Sequence, residues 1–407
     1  MQEILDVKHW WSKPRKAADF DDNRQVTGIE VFYDLVYSAF FAHITALFTI
    51  DMNFSNLSLH LLLFLMGWWT WFNFSLYFEI HGNDDIRSRF FVFIQMFAVI
   101  GMSIYCGNIF TTDKIPFSIF YIGLELIMMY LWWYTGFADK EHATSKYYVQ
   151  RMLLGIIVFV IGVFVKSEYT QIFWYTSIVI LYTTIRYSMN KVDRELLITN
   201  MGSRSDNIIS KSLTQRFNRI TVIIIAQILT GLIRGFSGKI KIGLTANMAI
   251  LAGLALAFGI WAIYSETISN REVKNNEKAA FMYVFLHFCF AYVVCLTAAV
   301  ILDLIKKLLL GQMGHKSFSV LSYTLLAIVL IGFLFQFILV HTVENQDRVL
   351  LFTYPIIAVI LFILPFFVQN WKIEVSFYII LMFLPMIMRR IFYIRYKKRQ
   401  LVCHIQK

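Results

Sequence analysis

Apolar runs of about twenty residues, separated by short polar breaks, recur from one end of this chain to the other. A bilayer core about 30 Å thick is crossed by about 20 residues of helix rising about 1.5 Å each. Backbone amides have no water to turn to in hydrocarbon, so such runs are confined to helices. By that rule spans fall at 29–50, 58–79, 89–110, 116–137, 148–166, 171–187, 213–235, 243–264, 279–303, 317–341, 349–368 and 372–393. The expected fold class is an all-α polytopic membrane protein with about twelve transmembrane helices. Composition agrees: 58% of residues are hydrophobic and only 15% charged, against about 25% charged in soluble domains.

The longest polar interval, 186–216, divides the spans into two sets of six. The expected organisation is therefore an interfacial N-terminal segment (1–28), a six-helix repeat (29–187), a linker (188–212), a second six-helix repeat (213–393) and a basic tail (394–407). Most of the 37 lysines and arginines fall on one side when the N-terminus is assigned to the cytoplasm, which predicts a plasma-membrane protein with both termini cytoplasmic. The net charge of +11 is spread between apolar runs rather than gathered on one basic module. It points to topology and to anionic lipid, above all at the tail "RRIFYIRYKKRQ", and no nucleic-acid partner is expected. Trp10 and Trp11 among Lys8, Lys13, Arg15 and Lys16 suit a headgroup-level segment. Cys106, Cys289, Cys295 and Cys403 have neither disulfide-framework nor zinc spacing, so no metal or cofactor is expected.

The halves align without a gap at an offset of 192: Gly67, Trp69, Phe72 and Phe93 meet Gly259, Trp261, Tyr264 and Phe285. Asp85 meets Glu277 and Gln95 meets His287 on the same line. With six spans in each half, the two repeats would share one orientation in the membrane.

The stretch "VTGIEVFYDLVYSAFF" from Val26 resembles the opening signature of the bacterial low-temperature-requirement A family, an E-[LV]-F-[FY]-D-L-V-[FY] block at the start of the first helix. "GWWTWFNFSLYF" from Gly67, "NDDIRSR" from Asn83 and "QRFNRITVIIIAQILTGL" from Gln215 follow in the family's order. The last departs from the family pattern, with Gln215 and Gln227 where Glu is usual and Asn218 and Ala226 where Gly is usual. The resemblance implies a multipass plasma-membrane protein linked to growth at low temperature, without an agreed chemical activity.

Ionisable groups inside spans cost several kcal/mol, about 2.5–3.5 for Asp at the bilayer centre, and so mark interior or water-lined positions. Glu30 and Asp34 lie one turn apart on one face of the first span. Two carboxylates that close call for a cation, and the candidates are Arg87, Arg89, Arg216 and Arg219. They would form an ion-pair lock at the helix ends or the inner mouth of an ion or proton path. Glu125 falls in the middle of the fourth span, the deepest acid in the chain. His43, Gln95, Gln227 and His287 complete the candidate polar network, although His43 is about 180° round the helix from Asp34. Trp69 and Trp261 are read as packing or gating aromatics, and Trp132 and Trp133 as interface anchors. Ala249, Gly253 and Ala257 form a close-packing seam.

No H-E-x-x-H, G-x-S-x-G, Walker or G-x-G-x-x-G motif occurs, so no enzyme activity is expected. The leading expectation is a channel or carrier for a small ion, proton or polar solute, with Asp34 and Glu125 as its charged centres. A non-transporting envelope- or lipid-organising protein or cold-related sensor is the alternative. An intramembrane lipid-modifying enzyme is the third.

Overall fold

The computed structural model describes residues 12–15, 24–138, 144–185, 209–237, 243–269, 271–312, 315–340, 348–368 and 370–405. These residues fold into twelve helices and no strand: α1 Gly28–Phe48, α2 Phe54–His81, α3 Ile86–Tyr105, α4 Lys114–Ala138, α5 Thr144–Phe164, α6 Ser167–Tyr182, α7 Lys211–Phe236, α8 Leu244–Thr267, α9 Glu277–Leu309, α10 His315–Ile338, α11 Arg348–Phe367 and α12 Trp371–Ile405. Eleven are long and apolar enough to cross a bilayer, and the chain is a polytopic membrane protein. The exception is α6, expected over 171–187. It starts earlier, with Lys166 at its N-cap, and its 16 residues cover about 24 Å, short of the roughly 30 Å core. Trp10, Trp11 and most of the 188–212 linker lie outside the described residues. The backbone of the basic tail continues α12 as helix through Ile405.

Local chemistry sets the helix starts. Thr27 begins α1 with a capping box, its backbone N–H donating to Glu30 Oε2 at 2.9 Å. Asn53, Asp85 and Asn276 cap α2, α3 and α9, each side chain accepting from the backbone N–H three residues on.

The chain divides into two compact units, with α7 belonging to the first as far as Arg219 and to the second from Ile220. In the first unit α1 packs on α2 and α3, α2 on α4 and α6, and neighbours α3–α4, α4–α5 and α5–α6 pack in series. Its core is aromatic: Tyr33 lies 4.2 Å from Phe74, Phe41 4.6 Å from Phe64, and Phe159 stacks on Trp174 at 4.7 Å between ring centres. Gly67 lets α1 and α2 approach, since a Cβ there would sit 2.5 Å from the Phe40 ring. On α3, Val92, Gln95, Met96, Val99 and Met102 face inward, while Phe90, Phe93, Phe97, Ile100 and Ile104 form an exposed apolar face, which suits lipid.

In the second unit α8 packs on α9, α10 and α12, α12 also on α10, and α9–α10, α10–α11 and α11–α12 pack in series. Gly253 of the predicted seam receives Leu232 of α7, and Gly259 receives Met382 of α12. Pro355 and Pro365 lie inside α11, which continues through both. Glu266 pairs with Arg389 at 2.9 Å and Arg390 at 3.3 Å.

Candidate functional site

The first unit gathers three carboxylates and two guanidiniums at one end of its helices. Chain alternation brings the start of α1 beside the end of α2, and the first turns of α7 join them. Glu30 accepts from both terminal nitrogens of Arg24, at 2.8 and 2.9 Å, the planar fork that favours arginine over lysine. The same guanidinium reaches Glu79 at 2.7 Å, and Ser212 of α7 donates to the other Glu79 oxygen. Burial opposes the charge of Arg24, but its two carboxylate partners outweigh burial and raise its pKa above the ordinary guanidinium value.

Arg216 enters from α7 with no exposed side-chain surface. It donates to Asp34 Oδ1 at 2.6 Å and lies 3.6 Å from Glu30. Its guanidinium carbon sits 5.7 Å from the ring centres of both Trp71 and Phe74. Trp71 also donates its indole N–H to Asp34 Oδ1 at 2.7 Å, leaving Asp34 Oδ2 buried without a hydrogen bond. A wholly buried carboxylate needs such partners, because desolvation of an unpaired ion costs several kcal/mol. Phe217, next along α7, seats its ring edge-on against Trp71 at 5.4 Å.

Deeper along α1, Tyr33 donates to Gln95 Oε1 at 2.8 Å, and its hydroxyl is 3.1 Å from that of Tyr37. Tyr37 in turn donates to Thr70 Oγ1 at 3.0 Å. The result is a buried run of hydroxyls linking α1, α2 and α3. Glu125 lies at the middle of α4, 1% exposed. Its carboxyl faces the indole N–H of Trp69 and the hydroxyl of Tyr121, neither at full hydrogen-bond geometry. Those two donors are themselves buried, with Glu125 as the polar group they face.

The remaining predicted residues divide between the units. His43 is exposed on the opposite side of α1, as its angular distance from Asp34 implies. Gln227 and His287 belong to the second unit. Gln227 accepts from Cys295 Sγ at 3.5 Å. His287 is 2.9 Å from the Tyr283 carbonyl through Nδ1 and 3.1 Å from the Tyr264 hydroxyl through Nε2. The carbonyl can only accept, so Nδ1 carries the proton and Nε2 accepts from Tyr264. Trp69 is fully buried, whereas Trp261 is half-buried against Phe258 at 5.1 Å.

Of the four expected arginines, three do not pair with these acids among the described residues. Arg89 is exposed and pairs with Asp84 at 3.1 Å. Arg87 is buried over the Tyr134 ring, 5.4 Å from its centre. Arg219, half-buried, keeps Nη1 buried without a hydrogen bond. Arg24 and Glu79 take the places that the sequence reading gave to other residues. Trp132, expected at the interface, is buried and donates to Asn73 Oδ1 at 2.9 Å, where Tyr148 also donates. Trp133 is exposed. No group of three or more His, Cys, Asp or Glu among the described residues is placed to hold a metal ion.

No curated protein matches the chain in sequence. Residues 25–388 match the family described as Bacterial low temperature requirement A protein, an interval that takes in Glu30, Asp34, Glu79, Glu125 and Arg216. With the match covering all but the ends of a twelve-helix membrane fold, the chain belongs to the bacterial low temperature requirement A (LtrA) family.

Proposed function

We propose that this protein is a channel or carrier for a small ion, proton or polar solute, working in the plasma membrane with both termini in the cytoplasm. The observation that carries the reading is Glu125: a carboxyl at mid-helix, wholly buried, whose polar neighbours are the neutral indole of Trp69 and hydroxyl of Tyr121 and which no cation among the described residues pairs with. A polar group at that depth costs several kcal/mol when it serves packing alone. The hydroxyl run of Tyr33, Tyr37 and Thr70 supplies further proton-donating and -accepting groups in the same unit. Asp34 has a different part in this proposal. Clamped by Arg216 and Trp71, it closes one end of the unit.

The two halves act as a duplicated pair in this reading. Every helix pair among α2–α4, α2–α6, α3–α4, α4–α5 and α5–α6 that packs in the first unit has its counterpart six helices later in the second, and that correspondence supports the offset of 192. Gln95 and His287, aligned by it, are both buried and hydrogen-bonded to a tyrosine of another helix.

The test is flux into proteoliposomes of the purified chain under an imposed voltage, scanning protons, potassium, sodium and chloride. The expected result is a selective flux that Glu125→Gln abolishes while the variant stays folded. An unchanged flux in Glu125→Gln would remove the site, and silence for every ion would remove transport. The ion-paired cluster around Asp34 favours a second reading, a non-transporting protein that organises the envelope in the cold. That reading predicts the silent outcome together with cold-sensitive growth of Arg216 variants. Catalysis has no part in either reading.

A further inference from the structure

The polar side chains that face Glu125 are hydrogen-bond donors: the indole N–H of Trp69 on α2 and the hydroxyl of Tyr121, one turn earlier on α4. An indole N–H can only donate, so it turns the positive end of its dipole toward the place where a bound metal cation would lie. Metal cations such as sodium, potassium or calcium are held in proteins by a shell of oxygens, from carboxylates, carbonyls or water. The donors beside Glu125 are packed among aromatic rings instead. Trp69 lies against Tyr182 at 5.4 Å between ring centres, and Tyr121 against Phe159 at 4.6 Å. Trp69, Tyr121 and Glu125 are each at most 1% exposed, so a metal ion would arrive there without bulk water to complete its shell. Chloride is opposed by charge, because the carboxylate that faces both donors repels a second anion. A proton meets neither objection.

A carboxyl takes a proton without any coordination shell: one O–H bond forms at Glu125 on uptake and breaks on release, and the carboxylate returns unchanged. Donors aimed at the carboxylate suit the charged half of that cycle. The hydroxyl run of the same unit can hand on a proton but not a metal ion, since a hydroxyl both donates and accepts. Tyr37 belongs to that run, 3.1 Å from the Tyr33 hydroxyl and 3.0 Å from that of Thr70, and it is near enough to Glu125 to feel its charge. We propose that the species moved at Glu125 is the proton alone, with metal cations and chloride excluded by the donors that face the carboxyl. The proposal rests on the transport reading of this site and narrows its substrate to one class.

The experiment uses the purified full chain in proteoliposomes loaded with a pH-sensitive dye. A pH step is imposed with equal potassium and valinomycin on both sides, so that potassium carries the balancing charge, in buffers with and without sodium and chloride. Uptake of radioactive sodium, of rubidium standing for potassium and of chloride is followed separately, without valinomycin. The unaltered chain should collapse the pH step at one rate in every buffer and take up no tracer beyond empty vesicles. Glu125→Gln should abolish that proton movement, and Glu125→Asp, which keeps a carboxyl, should retain part of it. Glu168→Gln, at an exposed acid of α6, should leave it unchanged. Tracer uptake that is lost in Glu125→Gln would overturn the proton assignment and keep the transport reading. Proton movement that stops when sodium is withdrawn would overturn it too, since the carboxyl would then alternate with a metal cation. Vesicles silent to protons and to every tracer would remove both readings. The ion comparisons on the unaltered chain hold even where Glu125→Gln fails to fold.

Discussion

Replacing Arg216 with methionine keeps most of its volume and removes its charge from beside Asp34 and Glu30. Glu30 would keep its two bonds from Arg24 and the backbone N–H of Thr27. Asp34 would keep one bond, from the Trp71 indole, and would be stranded as a buried carboxylate. Breaking a buried pair from one side costs about 3–5 kcal/mol, and the cost should fall near the top of that range because neither partner has exposed side-chain surface. Asp34→Asn should cost less, about 1–3 kcal/mol, since an asparagine Oδ1 can still accept from Trp71. In Asp34→Asn/Arg216→Met the stranded charge is gone, so the double variant should be no worse than Arg216→Met alone. The resulting coupling is about 2 kcal/mol, well above the roughly 0.5 kcal/mol scatter of independent sites. Equilibrium unfolding in mixed detergent micelles, followed by tryptophan fluorescence, measures all four corners of the cycle. Costs that add to within about 0.5 kcal/mol would refute the claim that Asp34 and Arg216 hold each other in place.

Two further outcomes test the local structure. Burial works against the charge of Asp85, but hydrogen bonds from Ser88 and Ser12 outweigh it and hold the carboxyl below the usual carboxylate range. Its contribution to stability is therefore present above the ordinary Asp pKa and lost as pH falls through the lowered value, so Asp85→Asn, still a good N-cap, should flatten the acid limb of a thermal-midpoint profile. Gly67→Ala places a methyl 2.5 Å from the Phe40 ring and should cost about 1–3 kcal/mol by overpacking, whereas Gly28→Ala, with open space around it, should leave the melting midpoint unchanged.

The helices were legible because hydrocarbon enforces length: a run of about twenty apolar residues has one way to satisfy its backbone. The sixth helix was expected from 171 and starts at Ser167, because its polar start, Lys166 to Glu168, reads as a turn in sequence. In the site, the acids were found by their cost in the membrane, and Arg216 by its sign and its end of the bundle. Arg24 and Glu79 were missed for a shared reason. Each stands at the margin of a span, where a charge costs little by itself and carries no signal of burial. The alternation of helices did contain the clue, since the start of α1 and the end of α2 must share an end, which puts Glu79 within reach of whatever pairs with Glu30.

Charge counting also explains why Arg87 was assigned to the wrong partner. The sequence offered four arginines for two acids, and nothing in span lengths ranks them. The structure ranks them by access. Arg216 arrives on a helix that packs its neighbour Phe217 against Trp71, and Arg24 lies six residues before Glu30, close enough to fold back onto it. Arg87, one residue into α3, is held over Tyr134 of α4 instead. The cluster satisfies its acids without Arg87, and a buried cation kept without an acid to balance it is hard to account for by stability alone. That surplus sets Arg87 apart from Arg216: removal of Arg216 should register strongly in unfolding, and removal of Arg87, which strands no acid, far less. An Arg87→Gln chain that unfolds as readily as Arg216→Met would erase the distinction and return both arginines to one structural role.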